Sequence, residues 1–87
     1  MENYRLVFRA SVSKDLRRLP KNDLSRILGR LGALAENPRG PGCEKLSGGE
    51  RCRVRQGVYR IIYEICDGEL LVIVVKVGHR RDVYRPG

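Results

Sequence analysis

Apolar residues recur at helical spacing in the first half of the chain and at every second position in the latter part. Val12, Leu16 and Leu19 lie at i, i+4 and i+7 with Lys14, Arg17 and Arg18 outside the stripe, which predicts a short helix capped by Ser11 or Ser13. Pro20 interrupts it. A second helix is expected from near Asn22, with Leu24, Ile27, Leu28, Leu31, Leu34 and Ala35 on one face, ending at Asn37-Pro38. Ahead of this helical hairpin, the apolar and β-branched run Tyr4 to Phe8 reads as a first strand. Arg39 to Gly42 and Ser47 to Gly49 read as loops, with Lys45-Leu46 a brief anchor between them.

From Arg51 the period is two: Arg51, Arg53 and Arg55 point one way, Cys52 and Val54 the other. Gln56-Gly57 is the candidate turn into a strand from Tyr59 to Ile65, and Asp67-Gly68 the turn into a last strand from Leu70 to Val77. The expected fold is α+β in the order βααβββ, with the helices packed on one face of a sheet that ends in a three-stranded antiparallel meander.

Composition narrows the class. The chain has 87 residues, 41% hydrophobic, and is expected to form a single domain over residues 1–87 with one modest core. Its net charge of +8 predicts attraction to phosphate backbones, acidic proteins or anionic membranes without choosing among them. Cys43, Cys52 and Cys66 form no C-x-x-C pair, and His79 is the one histidine, so neither a metal nor a cofactor is expected. No apolar stretch approaches a membrane span and Met1 to Tyr4 does not open a secretory signal, which predicts a cytoplasmic location with reduced thiols.

The chemistry concentrates in two basic runs, RCRVRQGVYR at 51–60 and VGHRRDVYR at 77–85. A two-residue turn at Gln56-Gly57 sets Arg53 opposite Arg60, a like-charge pair that destabilises a hairpin by about 0.2–1 kcal/mol unless an anion lies between. A three-residue turn instead puts those two on opposite faces. The other reading of the row is a solvated basic face partly neutralised by carboxylates such as Glu64. Arg80, Arg81 and Arg85 follow the last strand, and guanidinium forks match phosphate oxygens while staying protonated. They clamp well and make poor bases. A phenol such as Tyr84 becomes a better one when guanidinium groups favour its phenolate, and His79 titrates nearest neutrality.

The ordered set R-x-R-x-R-Q-G-V-Y-R-I-I-Y-E-I, D-G and V-x-K-V-G-H-R-R-D-V-Y, behind a Leu-rich helical hairpin, resembles the RelE/ParE toxins of bacterial and archaeal toxin–antitoxin modules, and the RelE branch most. The likeness covers nearly the whole chain. It implies a metal-independent, ribosome-dependent endonuclease that cuts messenger RNA in the decoding site and is held inactive by a cognate antitoxin. By position it implies catalytic roles for Arg51, Arg53, Arg60 and Arg80, with Tyr84 as base, and leaves His79 as a further acid–base candidate. Arg55, Arg81, Lys45, Lys76 and Arg85 complete the basic surface expected to bind RNA. Arginines stand at 51 and 53 where some RelE members carry lysines. Two readings compete with the nuclease: a ParE-like inhibitor of DNA gyrase or catalytically silent relative, and an unrelated basic RNA-binding module.

Overall fold

The computed structural model describes residues 3–46 and 51–80. Its elements are β1 (Arg5–Phe8), α1 (Ala10–Arg17), α2 (Lys21–Glu36), β2 (Glu44–Lys45), β3 (Arg51–Gln56), β4 (Tyr59–Cys66), a 3₁₀ turn (Asp67–Glu69) and β5 (Leu71–His79). The strands form one mixed sheet in the order β1-β5-β4-β3-β2. The expected meander β3-β4-β5 is its centre. The first strand pairs in parallel with the last, Leu6 opposite Val72, and the two-residue β2 adds an outer strand at the Lys45 anchor.

The helices cover one face. Val12 of α1 and Ile27, Leu31 and Leu34 of α2 meet Cys52, Val54, Ile61, Tyr63, Val72, Val74 and Val77 from alternate positions of the strands. The apolar stripe of α2 is narrower than the sequence suggests: its buried residues repeat at i, i+4 and i+7, while Leu28, one step round the helix, is 49% exposed. Tyr63 is fully buried, and its hydroxyl donates to the carbonyl of Pro38 at 2.6 Å, tying the end of α2 to the middle strand.

Several boundaries depart from expectation for local physical reasons. Helix α1 starts at Ala10, so Ser11 and Ser13 lie inside it and Arg9 is its N-cap without a side-chain cap bond. Arg9 is already committed to the sheet through its N–H to the Val74 carbonyl at 3.2 Å, so the helix begins directly off β1. The hairpin after β4 is longer than a two-residue Asp67-Gly68 turn. Cys66 pairs with Leu71, and Leu70 closes the loop in the left-handed region at φ +54°. The other hairpin turns at Gly57-Val58 rather than Gln56-Gly57, with Gln56 opposite Tyr59. Gly57 has φ +62°, and a two-residue turn that needs a left-handed first central residue selects the glycine for that place.

Candidate functional site

The shift of the turn by one residue moves every cross-strand partner by two. A two-residue shift keeps each side chain on its face, so the basic row survives with different pairing. Arg55 stands opposite Arg60, Arg53 opposite Ile62, and Arg51 opposite Glu64. The sequence-derived pair Arg53–Arg60 is therefore replaced by Arg55–Arg60.

Reading across the sheet on the face away from the helices gives three rows. One runs Arg51, Glu64, Ile73 and Val7; the next Glu44, Arg53, Ile62 and Lys76; the third Arg55, Arg60 and Gly78. A β-bulge between the rows, with Val75 extra on β5, keeps Lys76 and Gly78 on this face although Ile73 lies three residues before Lys76. Beyond the third row, Arg80 N–H donates to the Val58 carbonyl at 2.8 Å, which ties the residue after β5 to the Gly57-Val58 turn.

Charge is distributed unevenly over these rows. Arg51 Nε donates to Glu64 Oε2 at 2.9 Å, and Arg9 approaches the same oxygen at 4.0 Å. The expectation of neutralisation by Glu64 thus holds at the Arg51 end. Arg53 is ion-paired with Glu44, and Lys76 Nζ reaches Asp15 Oδ1 of α1 at 3.5 Å while Asp15 Oδ2 accepts the Val77 N–H. Arg55 has no ion pair among the described residues, and Arg60 makes one long bond, to the Tyr59 carbonyl at 3.4 Å. Among the described residues, the third row, with glycine in place of a side chain at 78, is the part of the face where positive charge has no carboxylate bonded to it.

The remaining expected residues fall elsewhere. Lys45 lies opposite Cys52, on the other parity from Glu44, so it does not join the arginine rows. His79 lies opposite Tyr59 on the helix side, ring centroids 6.1 Å apart and edge-on, and Tyr59 Oη in turn donates to Asp23 Oδ2 of α2 at 3.0 Å. That bond raises the Tyr59 pKa. Arg81, Tyr84 and Arg85 lie outside the described residues.

Sequence reasoning missed Glu44. The carboxylate of Glu44 is held below the usual range by the hydrogen bond and charge of Arg53, with Arg55 and Arg60 adding to the field, so it is ionised within the arginine cluster. A two-residue strand after a Gly-Pro-Gly loop leaves no periodic signal, which is why nothing in the sequence pointed to it.

A family model described as the ParE toxin of the type II toxin–antitoxin system parDE matches residues 3–84. The chain is 31% identical over 86 residues to the toxin RelG of Mycobacterium tuberculosis, covering 94% of this chain and 97% of that one. It is similar in structure to a chain of the archaeal RelE–RelB complex from Pyrococcus horikoshii, with TM-score 0.81, 28% identity and coverage of 92% and 98%. A chain of the toxin–antitoxin complex RelBE2 from M. tuberculosis has TM-score 0.78 and 26% identity, with coverage of 90% and 99%.

Proposed function

We propose that this chain, which belongs to the ParE toxin family of type II toxin–antitoxin systems and is RelE-like within it, acts as a toxin by cutting messenger RNA on the ribosome. The observation that carries the reading is the Arg55–Arg60–Gly78 row, where two guanidinium groups face each other with no carboxylate bonded to them among the described residues. A phosphate between them relieves their repulsion and accepts paired hydrogen bonds.

The reaction is attack of a ribose 2′-hydroxyl on the adjacent phosphorus, with departure of the 5′-oxygen, leaving a 2′,3′-cyclic phosphate and a free 5′-hydroxyl. The nucleophile comes with the substrate, so the scheme needs no metal ion. Arg55 and Arg60 hold the phosphate and stabilise charge gained in the transition state; Arg80, beside the Gly57-Val58 turn, reaches over the same row toward the leaving oxygen. Arg51 and Arg53 flank them and orient neighbouring phosphates. Such a site supplies electrostatics and little alignment of the flexible RNA, so productive in-line geometry falls to the ribosome. The partner is a cognate antitoxin, as in the RelB complexes of the structural relatives, with acidic segments that order over the basic face.

Primer extension on messenger from translating ribosomes tests this, with wild-type protein beside Arg60→Ala and Arg80→Ala. Discrete cuts that weaken strongly in both variants are expected, and intact messenger with folded wild type overturns the reading. The ParE description of the matching family favours the ParE-like alternative as the second reading, for which the sequence resemblance implies gyrase as target. Inhibition of supercoiling at the concentration used on ribosomes, without messenger cleavage, selects it.

A further inference from the structure

Resting on the ribonuclease reading, we infer that Glu44 is the proton acceptor of the reaction, taking the 2′-hydroxyl proton while Arg55 and Arg60 hold the phosphate. The resemblance gives that role to Tyr84, and the geometry of the described face points to the carboxylate.

Glu44 sits opposite Arg53 on β2, in the row beside Arg55–Arg60–Gly78 and diagonal to Arg55. Diagonal cross-strand neighbours lie about 7–8 Å apart, within the span of two long side chains and one phosphate between them. Arg53 binds Oε2, and among the described residues Oε1 has no partner, so there one oxygen is anchored and the other available. Half the side chain is exposed, which admits a ribose.

Other candidates on the described chain are turned away or engaged. Glu64 is held by Arg51 and Arg9 in the row farthest from Arg55–Arg60. Asp15 and Asp23 belong to the helices and bind Lys76 and Tyr59. Tyr63 is buried against Pro38, and His79 lies on the helix side of the sheet.

Arg53, Arg55 and Arg60 keep Glu44 charged before substrate arrives, and Lys76 closes its row. A phosphate landing on Arg55 and Arg60 cancels part of that field, so the proton affinity of Glu44 rises as the substrate binds. In the step itself the 2′-hydroxyl proton passes to Glu44 Oε1 and the 2′-oxygen forms the bond to phosphorus. The P–O5′ bond breaks with its electron pair going to the 5′-oxygen, which takes a proton from water. Glu44 then returns its proton to the hydroxide so formed, and no water is consumed.

Single-turnover cleavage of messenger on ribosomes decides it, read for wild type, Glu44→Gln and Glu44→Asp between pH 6 and 8.5, with RNA binding and melting temperature measured alongside. Glu44→Gln is expected to cut roughly 100- to 10,000-fold more slowly, the usual range for loss of a general base, with Glu44→Asp in between. RNA binding should hold or tighten, because a negative charge has left the phosphate site. Wild-type rate should be flat across this pH range, the carboxylate being ionised throughout, and the Glu44→Gln rate should climb with pH as hydroxide takes over. Equal or faster cutting by folded Glu44→Gln overturns the inference and makes the carboxylate a mere occupant of the phosphate site. Slower cutting with weaker RNA binding and an unchanged pH profile also overturns it, leaving Glu44 a support for Arg53. Wild-type protein that cuts nothing removes the ribonuclease reading together with this inference, whereas full-rate Glu44→Gln beside active wild type removes the inference alone.

Discussion

Arg55 and Arg60 face each other across the β3–β4 hairpin, next to the glycine at 78, and neither has an ion pair among the described residues. Like charges directly opposite in an antiparallel pair cost about 0.2–1 kcal/mol, so the protein is less stable for keeping both. Replacing Arg55 with Gln should therefore raise stability by about that amount in urea unfolding while weakening RNA cleavage. Opposite signs in the two assays are the signature of a site; loss of both marks Arg55 as structural.

The same pair should govern salt dependence. Each phosphate neutralised on single-stranded RNA adds roughly −0.7 to the slope of log K against log salt. Arg60→Ala is expected to flatten the slope by about that much. An unaltered slope in a salt titration of RNA binding would detach Arg60 from the phosphate.

Gly57 sets the register that creates the pair. Its φ of +62° places it in the left-handed region, which costs a residue with a Cβ about 1–2 kcal/mol. Gly57→Ala should lose that much stability in chemical denaturation, and cleavage should fall as the turn loosens. A Cβ there meets no neighbouring atom within 4 Å, so the loss is one of backbone conformation and not of crowding.

Tyr63 anchors the sheet to the end of α2. Burial pushes its phenol pKa far upward, so the hydroxyl stays a donor to Pro38 and takes no part in proton transfer. Tyr63→Phe leaves the Pro38 carbonyl unpaired and should cost about 1–3 kcal/mol in thermal or urea unfolding. RNA cleavage by the folded fraction is expected to be unchanged, since the ring faces away from the arginine rows.

Asp67 joins three separate segments. It accepts Tyr4 Oη at 2.7 Å and a two-pronged bond from Arg39 at 2.9 and 2.8 Å, and these partners lower its pKa from 3.8 to about 2. A carboxylate depressed in the folded state stabilises fully above its unfolded pKa, and the contribution disappears as pH falls through the folded value. Asp67→Asn should thus melt below wild type at pH 7, with the gap closing progressively between about pH 5 and 1. A gap that stays undiminished at pH 2 rules out ionisation of Asp67 as its source.

Much of this architecture is written in local pattern. The i, i+4, i+7 spacing of Ile27, Leu31 and Leu34 specifies a helix and its buried side, Asn37-Pro38 specifies where it stops, and the alternation of Arg51, Cys52, Arg53 and Val54 specifies a strand with one wet face. These signals need only neighbours along the chain. Helix ends were less legible, because Ser11 and Ser13 were displaced as caps by a sheet bond from Arg9 to Val74, a contact between residues far apart in sequence.

What the sequence by itself determined, then, is the succession of elements, the family likeness and the fact that arginines share a face. Only the tertiary structure decided which arginines meet. The left-handed φ of Gly57 moved the turn by one residue, exchanging Arg53 for Arg55 opposite Arg60, and pairing across strands brought Glu44 from a two-residue strand into their midst. The parallel union of β1 with β5 and the removal of His79 to the helix side belong to the same class. Periodicity reports which way a side chain points, whereas register and strand order are settled by turn geometry and by packing between segments distant along the chain.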